Sequence, residues 1–208
     1  MNTHPEGVQK TLEEDVSALD PRALRSREQL AVAILSLASE RDIDTVTVAQ
    51  VAAEAGINRS TFYQHAASPA ALLRSVLSAE LDVVRAEHLD ACGDIAVALG
   101  ELTHGVVGHI DARRRIYRQG LGSGSGSAAL HSMLGSHFER SALLLIEHRG
   151  ITVRGVTGRP VPVAMVARFL AYAVVGAFET RISEDGPRPE RDFMEDLRAL
   201  MPPWWPIA

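Results

Sequence analysis

Apolar positions recur along this chain mostly at helical spacing. Leu30, Ala31, Ile34, Leu37 and Ala38 form one stripe, which predicts a first helix from about Pro21, with Asp20 as its cap, to Arg41. Val48, Val51, Ala52 and Ala55 supply the apolar side of a short second helix, and Gly56 ends it. A third short helix follows from Arg59 through His65, in which only Phe62 is a large aliphatic or phenyl side chain suited to burial. Ser68 and Pro69 cap and open a fourth, whose stripe of Leu72, Leu73, Val76, Leu77, Leu81 and Val84 carries it to about Glu87. From Asp94 the pattern is helical again, with Leu99, Leu102, Val106 and Ile110 on one side, although Gly100, Gly105 and Gly108 weaken it. These glycines predict a tight helix crossing, with a ligand cavity as the second reading. Two longer helices are predicted over Ala128–His148 and Val163–Ser183, and a last one near Pro189–Met201. The chain is therefore all-α.

The stretch Thr47 to His65 carries the most specific local chemistry. Thr47 suits an N-cap and Gln50 its reciprocal partner three residues on. Gly56 tolerates the positive φ of a tight corner, Ile57 tucks beneath it, and Asn58 caps the next helix. Small Ala52 lets the two helices cross closely, while Val51, Ile57 and Phe62 form the buried side. The result is a helix-turn-helix that turns Arg59, Ser60, Thr61, Tyr63, Gln64 and His65 outward, a set able to meet base edges and phosphates.

From Thr47 through Tyr63, Gln64 and His65 to Ser68 and Leu72 the sequence resembles the TetR family of bacterial transcriptional regulators, over about residues 22 to 76. That family's head ends in Tyr-x-His-Phe-x-Ser-Lys; here Ala66 replaces the phenylalanine and Pro69 the lysine. The smaller plug and the lost cation predict weaker affinity for DNA with docking unchanged. Residues 1–20 read by their charge as a flexible acidic arm, and the resemblance implies a three-helix head over 21–67 and a larger helical ligand-binding and dimerisation domain over 68–208. It implies a homodimer that binds a palindromic double-stranded DNA operator, a repressor answering to a small-molecule effector. Thr47 and Tyr63 would meet phosphate, and Asn58 would set the helix whose Arg59, Ser60, Thr61, Gln64 and His65 lie around the base edges. His104, Tyr117, Phe138 and Tyr172 are the candidate pocket residues.

The last two predicted helices, Val163–Ser183 and the one near Pro189–Met201, look like that family's four-helix dimer interface. Val163–Ser183 has few polar side chains, so it must be covered on two sides: by its own domain through Leu170, Val174 and Phe178, and by a partner through Phe169, Ala173, Gly176 and Thr180. Phe193 and Leu197 of the last helix are assigned to the same interface.

Composition narrows the function without deciding it. The net charge is −5, and the first 20 residues alone hold one lysine against five carboxylates. Residues 21–75 balance six arginines against five carboxylates, so a DNA-binding head would rely on local clusters such as Arg22, Arg25 and Arg27. Arg113, Arg114 and Arg115 read as a solvated face. Gly120–Ser127, GLGSGSGS, reads as a flexible loop; it lacks the preceding strand and the following lysine of a phosphate-cradling motif. Cys92 is the single cysteine and reads as a packing residue. The histidine spacings do not suit a metal, no catalytic motif appears and no cofactor is implied. No run approaches the roughly 18 apolar residues of a membrane span, so a cytoplasmic protein without a membrane partner is expected. The rival reading is a helical small-molecule carrier or enzyme whose head no longer reads DNA.

Overall fold

The computed structural model describes residues 21–89, 95–121, 128–184, 186 and 188–205. The acidic arm, Cys92 and residues 122–127 of the glycine-serine run lie outside them. Among the described residues there are nine helices and no named strand.

The head is built from α1 (Pro21–Glu40), α2 (Val48–Glu54) and α3 (Arg59–His65), with a 3-10 turn over Ile43–Thr45. Both short helices depend on their caps. Thr47 Oγ1 accepts from the Gln50 N–H at 3.3 Å while Gln50 Oε1 accepts from the Thr47 N–H at 2.8 Å, which satisfies two end donors of α2 reciprocally. Gly56 takes φ +65°, and the Ile57 N–H turns back to the Ala52 carbonyl at 2.9 Å. Asn58 Oδ1 then accepts from the Thr61 N–H at 2.7 Å and starts α3. Leu30, Ile34, Val51 and Phe62 are fully buried under this corner, each contributing roughly 1.5–3 kcal/mol of burial.

Ser68 caps α4 (Pro69–Leu89) by accepting from the Ala71 N–H at 3.2 Å. Its Leu72, Leu73, Leu77 and Leu81 belong to one continuous apolar cluster that runs from Leu30 and Phe62 in the head to Val106 and Phe178 beyond it. The lever between the two parts is thus packed at both ends. It lies against α5 (Ile95–Ala112), where a Cβ on Gly105 would come within 2.7 Å of Val84 Cγ1. Gly105 is the close crossing that the glycine pattern predicts. Gly100 and Gly108 have no neighbour there, so they do not share that role.

The chain then forms α6 (Arg114–Leu121), where the sequence suggested only a solvated charge run. Ile116, Tyr117 and Gly120 make its buried face, and two of the three arginines have structural work. Arg113 binds Glu80 on α4, and Arg114 Nη2 donates to the carbonyls of Arg181, Ile182 and Glu184 at 3.0–3.1 Å, closing the end of the long helix α8. Arg115 is exposed.

α7 (Ala128–Arg149) and α8 (Val163–Ser183) form an antiparallel pair, as the cross-links Arg168–Glu139, Tyr172–Gly135 and Glu179–His131 show. Their connection is a short hairpin, fixed by Val161 N–H to Val153 O at 2.8 Å and Gly155 N–H to Arg159 O at 2.9 Å. The inner face of α8 carries Leu170, Val175 and Phe178 into the core. By length and composition α8 is apolar enough to cross a membrane, contrary to the expectation from its sequence. Yet its buried Arg181 is paired with Asp111 at 2.7 Å, inside the folded domain. The last helix is α9 (Glu190–Leu200).

Candidate nucleic-acid interface and ligand cavity

α3 owes its chemistry to Asn58. The Asn58 carboxamide oxygen accepts the Ser60 hydroxyl at 2.6 Å and the Thr61 hydroxyl at 2.9 Å in addition to the Thr61 N–H. Both hydroxyl protons are therefore turned inward, and Ser60 and Thr61 offer lone pairs, as acceptors, to an approaching base amino group. Arg59, Tyr63 and Gln64 are exposed, while His65 is half-buried in the last turn. The Tyr63 ring, 60% exposed, stands edge-on to buried Phe62 at 5.6 Å, which holds its hydroxyl away from the core. The Thr47 hydroxyl donates to Gln50 Oε1 at 2.8 Å, a bond it would give up to donate to a phosphate while the two N–H bonds of the capping box stay in place. Ala66 packs half-buried against the core, and Pro69 opens α4, so both departures from the family pattern are absorbed without breaking an element.

The larger domain encloses a cavity of about 70 Å³ between α5, α7, α8 and α9, well below the roughly 300–1,000 Å³ of a drug-sized site. Its wall is apolar, with Leu102, Phe138, Phe178, Met201 and Trp205 prominent, and three polar residues, Thr103, His137 and Ser141, interrupt it. The Thr103 hydroxyl donates to Leu99 O at 2.7 Å and the Ser141 hydroxyl to His137 O at 3.0 Å, so each keeps only acceptor capacity. Burial, then the neighbouring Arg85 cation, pushes His137 down to about 4, which keeps the imidazole neutral at pH 7.

Of the four candidate pocket residues, Phe138 lines this cavity, stacked 5.8 Å from Phe178. The other three lie elsewhere. His104 pairs with Glu190 at 2.7 Å on the outer surface, Tyr172 covers Gly135, and Tyr117 is fully buried with its hydroxyl 2.9 Å from His109 Nε2. The sequence marks His137 only as a core or surface histidine and does not mark Ser141, because polar residues on an apolar stripe read as surface until a second helix closes over them. Their spacing with Phe138 and Leu145 was the available signal.

Tyr117 instead belongs to a polar joint beneath the head. Glu80 receives Arg113 and lies 3.6 Å from His109 Nδ1; burial lowers the His109 pKa and holds that of Tyr117 above its usual range. From the same helix α6 the Gln119 amide nitrogen, oriented to suit its neighbours, donates to the carbonyls of Ala38 at 3.0 Å and Arg41 at 2.8 Å at the end of α1. The head is thus held by the larger domain at a second point besides α4.

The predicted dimer residues divide. Phe169, Ala173 and Thr180 are exposed and Gly176 partly so, one stripe on the outer side of α8. Phe193 and Leu197 face inward instead. Phe193 packs 5.2 Å from Phe178 and Leu197 closes the cavity, because the short α9 spends its apolar face covering its own domain. Leu200, 74% exposed, is what α9 leaves outside. Among the described residues no cluster of His, Cys, Asp or Glu is arranged to hold a metal ion.

The architecture is a doubly capped helix-turn-helix head, joined through α4 and Gln119 to a larger helical domain with an apolar cavity. Residues 30–76 match the model of bacterial regulatory proteins of the tetR family, which covers the head from within α1 to the first turns of α4. Solved structures extend the likeness along most of the chain. A tetR-family regulator from Streptomyces coelicolor is 20% identical with a TM-score of 0.56, covering 84% of this chain and 81% of its own. A TetR regulator from Rhodococcus sp. RHA1 is 16% identical at 0.55, covering 85% and 93%. NalD, the secondary repressor of the MexAB-OprM multidrug efflux pump of Pseudomonas aeruginosa, is 17% identical at 0.54, covering 85% and 96%. At these identities the likeness is one of fold. No curated protein matches the chain.

Proposed function

We propose that the protein is a ligand-responsive transcriptional repressor of the cytoplasm that binds a palindromic operator as a homodimer. The observation that carries the reading is α3 itself: a seven-residue helix with one buried anchor, Phe62, and with Arg59, Tyr63 and Gln64 free on its outer side. A carrier or enzyme has no use for such a helix, and the capping that fixes it is fully formed. Reading by one short helix covers few bases, so two copies related by a two-fold axis would read half-sites one or more turns apart, roughly 34–36 Å per turn. The protein acts by binding rather than by chemistry.

The effector site is the apolar cavity. A drug-sized ligand needs more room than this cavity offers, which movement of Met201, Trp205 or the helices around them would supply. Movement of α5 reaches α4 through the Gly105–Val84 crossing and the Arg113–Glu80 pair, and α4 carries the head. A state that binds ligand better and DNA worse then lowers operator affinity by linkage, of order 1–3 kcal/mol. Selection from a random duplex library tests the reading: an inverted repeat should be enriched, and a pool with no common site would overturn it.

A further inference from the structure

We infer that the hairpin between α7 and α8 is an arm that reaches across the dimer and docks on the acidic end of the partner's α8 and α9. The inference rests on the homodimer proposed above.

The outer stripe of α8 is uneven along its length. Its first half presents Met165, Phe169 and Tyr172, which are 62%, 67% and 45% exposed, and its second half presents Ala173, Gly176 and Thr180. Where a Cβ on Gly176 would sit, no atom lies within 4 Å, so the small half holds an open notch. Two such stripes fit each other only when the large half of one meets the small half of the other. An isologous pairing does this when the two α8 helices run antiparallel, Phe169 seated at the partner's Gly176 and the two-fold axis passing near Tyr172 and Ala173. In that register Val163, where α8 begins, is level with the last turn of the partner's helix. The hairpin before it then lies beside the partner's Glu184 and the start of its α9.

Charge and shape agree with that placement. Residues 149–162 carry three arginines and no carboxylate, whereas residues 184–200 carry six carboxylates against three arginines, so the facing segments have opposite net charge of equal size. The hairpin is held in shape by its backbone bonds, by the Arg154 Nη1 bond to Gly158 O at 3.0 Å, and by Ile151, Val153 and Val161 against Ile146 and Val166. Its tip nevertheless exposes Val156 completely, and Val163 and Met165 continue that apolar strip onto α8. Arg159 at the tip and Asp192 at the start of α9 are both exposed.

Sedimentation velocity of the full chain is the test, with R154E/R159E and the compensating D192R/E195R. The arginine reversal should raise the dimer dissociation constant about tenfold, a few exposed charge pairs counted twice by symmetry, and combining the four substitutions should recover most of it. In a C92S background, V156C with D192C should give a covalent dimer with a short bis-maleimide, and V156C alone should not. A wild-type dimer that ignores the arginine reversal and gives no cross-link overturns the arm while leaving the dimer standing. A wild-type monomer overturns the dimer reading itself.

Discussion

Arg113 donates to both oxygens of Glu80, Nε at 3.2 Å and Nη2 at 2.8 Å, and so ties the corner between α5 and α6 to the middle of α4. The same corner leads to Gln119, which caps α1. A cavity that changes shape around α5 therefore has a polar route to the head as well as an apolar one.

Breaking that route should be measurable in stability first. The pair is partly exposed, so Arg113→Gln should cost about 1 kcal/mol and lower the melting temperature by roughly 2–4 °C. Glu80→Gln should cost a similar amount, and the double variant little more than either. Simple additivity in thermal unfolding would mean that the two side chains do not act as a pair.

The three glycines of α5 should behave differently from one another. Gly105→Ala drives a methyl group to 2.7 Å from Val84 Cγ1, a stiff β-branched neighbour, and should destabilise by about 1–3 kcal/mol. Gly100→Ala and Gly108→Ala meet nothing within 4 Å and should be neutral or stabilise by up to about 1 kcal/mol through helix propensity. Denaturant midpoints of the three variants check this; equal effects would mean that Gly105 is not a close crossing.

His137 should make the protein sensitive to acid. Above pH 6.5 the imidazole is neutral in the folded and unfolded chain alike. Below it the unfolded chain takes up a proton that the folded protein refuses until about pH 4, so stability falls across that window and then levels off. The loss is of order 3 kcal/mol. Asp82, Arg85 and Arg140 face the same group, so His137→Asn should flatten this window specifically. An unchanged slope in urea unfolding from pH 4 to 7 would assign the acid sensitivity to other groups.

On the reading head, Tyr63→Phe should weaken binding to every duplex by about fivefold, the loss of one hydrogen bond to the backbone. Gln64→Ala should leave general affinity nearly intact and relax preference at one base position, worth about 1–3 kcal/mol. Binding isotherms on a set of single-base operator variants separate the two patterns.

The legible parts of the sequence were those whose physics is local. Thr47, Gln50, Gly56 and Asn58 specify caps and a corner within a dozen residues, so the helix-turn-helix could be read before any tertiary contact was known. The outer stripe of α8 was legible because small and large residues recur at one helical spacing. What depended on partners far along the chain was not. Arg113 and Arg114 look like solvated charge until Glu80 and the end of α8 arrive, although Ile116, Tyr117 and Gly120 already marked a helical face. Phe193 and Leu197 look free to meet a second copy until Phe178 and the cavity claim them. Tyr117 resembles a ligand group only while His109 is out of sight.

The regulator reading stands on the exposed side of α3 binding a specific DNA site. A gel shift against the DNA just upstream of the protein's own gene, at two salt concentrations and with excess unrelated competitor, tests it most directly. A specific band of dimer size that weakens as salt rises is expected. No specific shift even at low salt would contradict it and leave a helical ligand-binding protein with a reading head that no longer reads.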